Sequence, residues 1–289
     1  MPRLLRLDAE LVRRGLARSR EQARELVLEG RVKVGGTTAR KPATSVGTDA
    51  DLVVVDDGQQ PAYASRGGHK LASALAATMP HGLRVAGRRC LDAGASTGGF
   101  TDVLLRHGAA RVLAVDVGYG QLAWSLRTDA RVEVHDRTNI RALSPQLLGG
   151  DAVDLVVGDL SFISLRLVLP ALTSVTAVEG DLLLMVKPQF EVGKDALGKG
   201  GVVRDPGLRA QAVHDVAAAA QELGWGSRQV VTSGLPGPSG NVEYFLWLRR
   251  DAPPLDRETL IGEVEGLDHG WIPAAARPQL SAPDEKVIP

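Results

Sequence analysis

One stretch limits this chain's fold more than any other. Residues 90–120, CLDAGASTGGFTDVLLRHGAARVLAVDVGYG, read as a strand from Arg89 to Asp92, a glycine-rich turn from Gly94 to Gly99, a helix over Phe100 to His107 and a second strand from Arg111 to Asp116. Strand, tight turn, helix and parallel strand make the opening βαβ unit of a doubly wound α/β sheet, which places a cofactor over the turn. Charge then narrows the choice of cofactor. A pyrophosphate needs G-x-G-x-x-G, bare amides and a helix N-terminus; here the glycines read G-x-x-x-G-G and follow Asp92, which would repel a diphosphate. S-adenosylmethionine carries a sulfonium and an ammonium and no phosphate, so it gains from an acid there. Asp116, 22 residues after Gly94 at the end of the next strand, is placed to accept from a ribose diol. Taken alone, such a turn can equally be an ordinary strand-to-helix connection. Two carboxylates at successive strand ends argue for the cofactor.

The following segments extend the pattern. A crossover helix is predicted over Gly120 to Arg127, and strands over Val132 to Asp136, Asp154 to Asp159, Leu182 to Val186, Gln229 to Thr232 and Val242 to Leu248, with an amphipathic helix over Leu208 to Leu223. Asp136 ends its strand where an acid could take an adenine amino group. Leu182 to Val186 is a continuous apolar run of the kind buried in parallel sheets, and it ends in Lys187-Pro188. A lysine at the tip of a core strand is poorly explained by solubility. Gly193 to Pro206 is a basic, glycine-rich loop that reads either as surface connection or as a lid.

Charge is distributed unevenly. The 289 residues hold 34 basic and 34 acidic side chains, yet residues 1–55 hold 11 basic and 7 acidic ones, a surplus of four that the remainder cancels. A basic module points to a polyanionic partner. Its pattern is an apolar face of Leu4, Leu7, Leu11 and Leu16, a second helix opened by a Ser19–Gln22 capping box, then short strands at Val32 to Val34 and Leu52 to Val55. The polar stretch 56–64 reads as linker, and SRGGHKLASALAATM after it as a helix with Lys70 near its start. A single cysteine, Cys90, excludes a disulfide framework and a cysteine-rich metal site, so no metal is expected. No apolar run reaches the roughly 20 residues of a membrane span, and the charged start lacks a signal-peptide core, so the expected location is cytoplasmic. The proline-rich residues 251–289 read as a peripheral tail. Nothing in the pattern assigns an oligomeric state.

The motifs SRGGHKL, LDAGASTGGFTDVLL, DVGYGQLAWSLR, DLVVGDLSFISL, VKPQFEVGK and LPGPSGNVEYFLWL resemble those of the TlyA family, bacterial ribosomal RNA cytidine-2′-O-methyltransferases historically labelled hemolysins. The resemblance runs over residues 1–250. It implies a small α+β S4 RNA-binding domain (1–60), a linker (61–64) and an FtsJ-like domain (65–250) built on a Rossmann-like class I methyltransferase sheet. It further implies S-adenosylmethionine as cofactor and ribosomal RNA, within ribosomal subunits, as partner. The Lys-Asp-Lys-Glu tetrad of FtsJ-type enzymes falls on Lys70, Asp159, Lys187 and Glu243. The cofactor set falls on Asp92, Gly94, Gly98, Gly99, Phe100, Asp116 and Asp136, with Phe100 standing where FtsJ has tryptophan. Phosphate contacts of the S4 type fall on Arg13, Arg14, Arg18, Arg20, Arg24, Arg31 and Lys33, whose convergence would attract RNA. The competing readings are a non-catalytic RNA-binding assembly factor and, last, a membrane-active hemolysin, which the missing spanning segment disfavours.

Overall fold

The computed structural model describes residues 4–17, 20–28, 30–55, 63–193, 196–198, 200–237, 239–258 and 260. The chain divides into two units, Met1–Arg66 and Gly67–Pro289.

In the first unit, β1 (Leu4–Arg6) leads directly into α1 (Leu7–Arg13), and α2 (Arg20–Leu28) follows. β2 (Val32–Val34) then lies between β3 (Thr37–Thr38) and β5 (Leu52–Val54), while β4 (Ser45–Gly47) pairs antiparallel with β1. Leu7, Leu11, Ala23, Leu26, Val27, Val32 and Val46 form its core. The expected apolar face is therefore half right. Leu4 belongs to a strand and is 67% exposed, and Leu16 lies beyond the end of α1 on the surface. The Ser19–Gln22 capping box lies outside the described side chains, as does most of the linker.

Burial of charge in this unit is not legible from its pattern. Asp8 and Glu10 on α1 are both buried, and each is neutralised by two arginines. Arg6 and Arg20 approach Asp8 at 2.8 and 3.3 Å, and Arg13 and Arg14 approach Glu10 at 2.6 and 2.7 Å. An ionised carboxylate survives away from water only with such partners.

The second unit opens with α3 (Gly67–Thr78) and continues through β6 (Arg89–Ala93), α4 (Gly99–Arg106), β7 (Arg111–Val115), α5 (Trp124–Arg127), β8 (Val132–His135), β9 (Val153–Gly158), α6 (Leu169–Val175), β10 (Thr176–Val186), α7 (Pro188–Glu191), α8 (Pro206–Glu222), β11 (Gly226–Thr232) and β12 (Tyr244–Arg249). Seven strands form one sheet in the order β11-β12-β10-β9-β6-β7-β8. The ladders joining β10 to β9, β9 to β6, β6 to β7 and β7 to β8 are parallel; β12 alone runs antiparallel to its neighbours. Chain order reverses between β6 and β9. In such a sheet the crevice beyond the carboxyl ends of those two strands is the place for a ligand.

Several elements of this unit differ from expectation. β11 begins three residues early, at Gly226, and β12 two residues late, at Tyr244, so that Glu243 precedes the strand. The crossover after β7 is helical only at Trp124–Arg127, because Gly118 and Gly120 start a loop that is tied to the glycine turn by the Ala123 amide on the Thr97 carbonyl at 3.2 Å. β10 begins six residues early, with an irregularity between Thr176 and Asp181 that its polar residues conceal. α6, opened by Pro170, stands where the sequence predicts no helix. α8 starts two residues before the predicted Leu208: Pro206 occupies the first turn and the Asp205 carboxylate accepts from the Gly207 amide at 2.8 Å.

Candidate active site

The glycine-rich turn folds back over the sheet because its amides are spent on β7: those of Gly94 and Ala95 donate to the Val115 carbonyl at 2.9 and 3.2 Å. Gly94 has φ +85°, and a Cβ there would lie 2.9 Å from the Asp159 carbonyl oxygen, so only glycine lets the turn pass this close to the end of β9. Gly98 has φ +97°, and its Cβ would run into Leu126 and Leu122 of the crossover. Gly99 and Phe100 begin α4 and are buried. The Phe100 ring stacks on Phe245 with centroids 6.0 Å apart and is 3% exposed, so it packs inside the domain instead of lining the turn.

The strand-end acids differ in their surroundings. Asp92 is fully buried; the Thr101 hydroxyl donates to one of its oxygens at 2.7 Å, and the other has no hydrogen-bond partner. Burial, with the nearby Asp159 and Asp116 carboxylates, pushes its pKa up to about 7. Asp116 accepts from the Ser96 amide at 2.9 Å and the Gly118 amide at 2.7 Å, which ties the two loops flanking the crevice. Asp136 is ion-paired with Arg127 at 2.7 Å, and that hydrogen bond holds its carboxyl below the ordinary range.

Beyond the strand tips lie two lysine–carboxylate pairs. Lys70, in the first turn of α3, reaches Glu243 at 2.5 Å, both nearly excluded from solvent. Lys187 reaches Asp159 at 2.5 Å and donates to the Ser161 hydroxyl at 2.8 Å. Register explains why four residues so far apart in sequence share one edge. Val186 pairs with Tyr244 across β10 and β12, so Lys187 and Glu243 are the next residues past that pair. Asp159 directly follows β9, its amide bonded to the Ala93 carbonyl at 3.1 Å, next to Gly94. The sequence offers little warning of Ser161; only its place two residues beyond a strand-end acid marks it.

A further clasp holds the loop after β9. Glu191, at the end of α7, accepts from the Ser164 hydroxyl at 2.5 Å and the Leu165 amide at 2.7 Å, with Arg166 at 3.5 Å. Burial raises its pKa. Phe162, in the same loop, has φ +64° and is 91% exposed, its ring 5.2 Å from that of Phe190.

Of the expected phosphate contacts in the first unit, Arg14 spends its guanidinium internally, on Glu10 and on the carbonyls of Ala50 and Thr48 at 2.7 and 3.0 Å. Arg13 and Arg20 are paired with Glu10 and Asp8, and Arg31 donates to the Val55 carbonyl at 3.1 Å. Arg24 and Lys33 are exposed, and Arg18 lies outside the described residues.

The FtsJ-like methyltransferase family model matches residues 63–250, and the S4 domain model matches residues 5–52. A protein of Mycobacterium tuberculosis named 16S/23S rRNA (cytidine-2′-O)-methyltransferase TlyA is 63% identical over 249 residues, 86% of this chain and 91% of that protein. A Bacillus subtilis protein, YqxC, that carries the name of an rRNA methyltransferase is 40% identical, over 90% of this chain and 92% of its own. A solved structure from Streptococcus thermophilus that carries the name hemolysin is 38% identical, superposes with a TM-score of 0.73 and covers 93% of this chain and 96% of its own. With a reversed-order seven-stranded sheet, a tetrad of lysines and acids at its edge and matches over most of its length, the chain belongs to the TlyA family of FtsJ-like methyltransferases.

Proposed function

We propose that the protein transfers the methyl group of S-adenosylmethionine to the 2′-oxygen of cytidine ribose in ribosomal RNA, which puts its work in the cytoplasm on ribosomal subunits. The observation that supports this most is the pair of contacts Lys187–Asp159 and Lys70–Glu243 beyond the glycine turn. The turn itself fits a cationic, phosphate-free cofactor. Asp92 offers an unpartnered carboxylate oxygen, a costly thing to bury without a donor to meet it. Asp92, Asp116 and the turn 94–99 would hold such a molecule, and Asp136 would first have to share or leave Arg127. When bound, S-adenosylmethionine supplies an electrophilic methyl carbon on a positively charged sulfur.

A ribose 2′-hydroxyl is a weak nucleophile, so the protein has to hold its oxygen in line and see its proton removed. Lys187 meets that hydroxyl, either accepting its proton or holding the oxygen while water takes the proton. Asp159 fixes the Lys187 nitrogen. Glu243 neutralises Lys70, so that two cations can occupy one sheet edge without mutual expulsion. The N-terminal unit supplies Arg24 and Lys33 as exposed cations toward RNA phosphates.

The test is incubation with unmethylated small and large ribosomal subunits and methyl-labelled cofactor, followed by mapping of ribose methylation. Wild type should mark cytidines, and Lys187→Ala should bind cofactor and mark none. Absence of label from both subunits, or full activity in Lys187→Ala, would overturn the proposal. Some relatives carry the name hemolysin, but among the described residues no helix is long and apolar enough to cross a membrane.

A further inference from the structure

We infer that Ser161 is a positioning residue for methyl transfer: its hydroxyl, together with Asp159, aims the Lys187 nitrogen at the sugar oxygen. The inference rests on the reading of Lys187 given above. A lysine nitrogen has four tetrahedral directions, one taken by its own Cε. Ser161 takes a second, its hydroxyl oxygen accepting at 2.8 Å, while Asp159 Oδ1 lies 2.5 Å away as an ion contact without hydrogen-bond geometry. With the Ser161 bond made, the nitrogen cannot turn about its Cε bond and its remaining directions are set. With the Asp159 charge alone it could turn, and those directions would sweep a cone. A flexible point charge on a four-carbon stem needs that second anchor more than a planar guanidinium would.

The surroundings of Ser161 support this reading independently. Its neighbour Phe162 is a non-glycine residue at φ +64°, a strained conformation that persists only where contacts on either side require it. Those contacts are present. On one side the Ser161 hydroxyl is on Lys187; on the other Glu191 holds the Ser164 hydroxyl and the Leu165 amide. Glu191 lies four residues after Lys187, so the loop carrying Asp159 and Ser161 is pinned at both ends to the segment carrying the lysine. Ser161 is itself exposed, and the buried group its hydroxyl meets is the Lys187 nitrogen. A surface serine whose neighbour is strained and whose hydroxyl goes to a strand-tip lysine is better explained by aim than by stability.

The experiment is steady-state methylation of the subunit that wild type modifies, comparing wild type, Ser161→Ala and Ser161→Thr, with cofactor affinity measured by calorimetry. Ser161→Ala should lower kcat by about 10- to 100-fold, the penalty expected of a reacting group displaced by about an ångström, while KM for the subunit and cofactor Kd stay within twofold. Ser161→Thr keeps the hydroxyl and should recover most of the rate. A Ser161→Ala enzyme with wild-type kcat, a loss confined to KM or cofactor affinity, or a threonine variant as slow as alanine would each overturn the inference while leaving the proposed reaction standing. A wild-type protein that methylates no subunit would remove both.

Discussion

Two carboxylates in the N-terminal unit and two beyond the strand tips of the catalytic unit meet cations, and they do it differently. In the N-terminal unit, Asp8 and Glu10 are each gripped by two arginines, and the Arg13 guanidinium closes on Glu10 with two parallel bonds at 2.7 and 2.6 Å. In the catalytic unit, Glu243 and Asp159 each meet a single lysine. An arginine fork matched to a carboxylate uses its donors in one plane and never gives up its proton, which suits a fixed strut. A lysine leaves valences open after pairing, and its charge can be altered by its surroundings. On the function proposed above, the same ingredients make scaffold in one place and a reaction site in the other.

The largest test of that contrast exchanges the cation. Lys187→Arg keeps the charge and the ion pair with Asp159 but replaces a compact nitrogen by a planar fork. If open valence is what matters, methyl transfer should fall about a thousandfold, as far as in Lys187→Ala, with cofactor binding intact; a substantial rate in the arginine variant would erase the distinction. Removing the partner charge at the second pair should cost less. Glu243→Gln keeps the shape but leaves Lys70 without its counter-ion, and a loss of about 100-fold in kcat at unchanged cofactor affinity is expected. Single-turnover kinetics on ribosomal subunits would read both.

These pairs also show what could be read before any coordinates. The strand ends at Asp92, Asp116 and Asp159 and the lysine at the tip of β10 were visible as breaks in apolar runs, and the β6–α4–β7 unit follows from the glycine turn. The joining of Lys70 to Glu243, 173 positions apart, has no local signal and was reached only through resemblance. The arginines of the first unit misled in a physical way. Arg13 and Arg14 at the end of α1 and Arg20 at the start of α2 look solvated and free for phosphate, because acids at 8 and 10 look equally solvated until packing buries them. Ser161 was missed for the opposite reason: a hydroxyl carries no sequence-level mark until the lysine it meets is in place.

Asp92 lies between the two regimes, a buried acid with no cation, and its pKa near 7 makes the difference measurable. In the folded protein it holds a proton that the unfolded chain gives up above about pH 3.9, so it lowers stability as pH rises from there toward 7 and adds no further dependence above. A cationic cofactor favours the ionised form. Affinity for S-adenosylmethionine should therefore climb by roughly tenfold between pH 6 and 8, and Asp92→Asn should bind more weakly with a flat profile. A wild-type affinity that does not change over that range would mean Asp92 takes no part in meeting the cofactor's charge.

The smallest effect belongs to the arginine clasp. Hydrogen bonds from Arg13 and Arg14 hold the Glu10 carboxyl down to about 2. A depressed carboxyl contributes stability that is fully present above its unfolded value of about 4.3 and is lost as pH falls through the folded value. Thermal unfolding of the full chain, followed by a probe in the N-terminal unit, should thus show a Tm falling between pH 4.3 and about 2. Glu10→Gln should remove most of that slope and lower Tm at neutral pH, since Arg13 and Arg14 would face a neutral partner. Methyl transfer at saturating subunit should be unchanged, because the clasp is scaffold. If Glu10→Gln instead slowed the chemical step as Glu243→Gln does, the division between fixed struts and reactive pairs would not describe this protein.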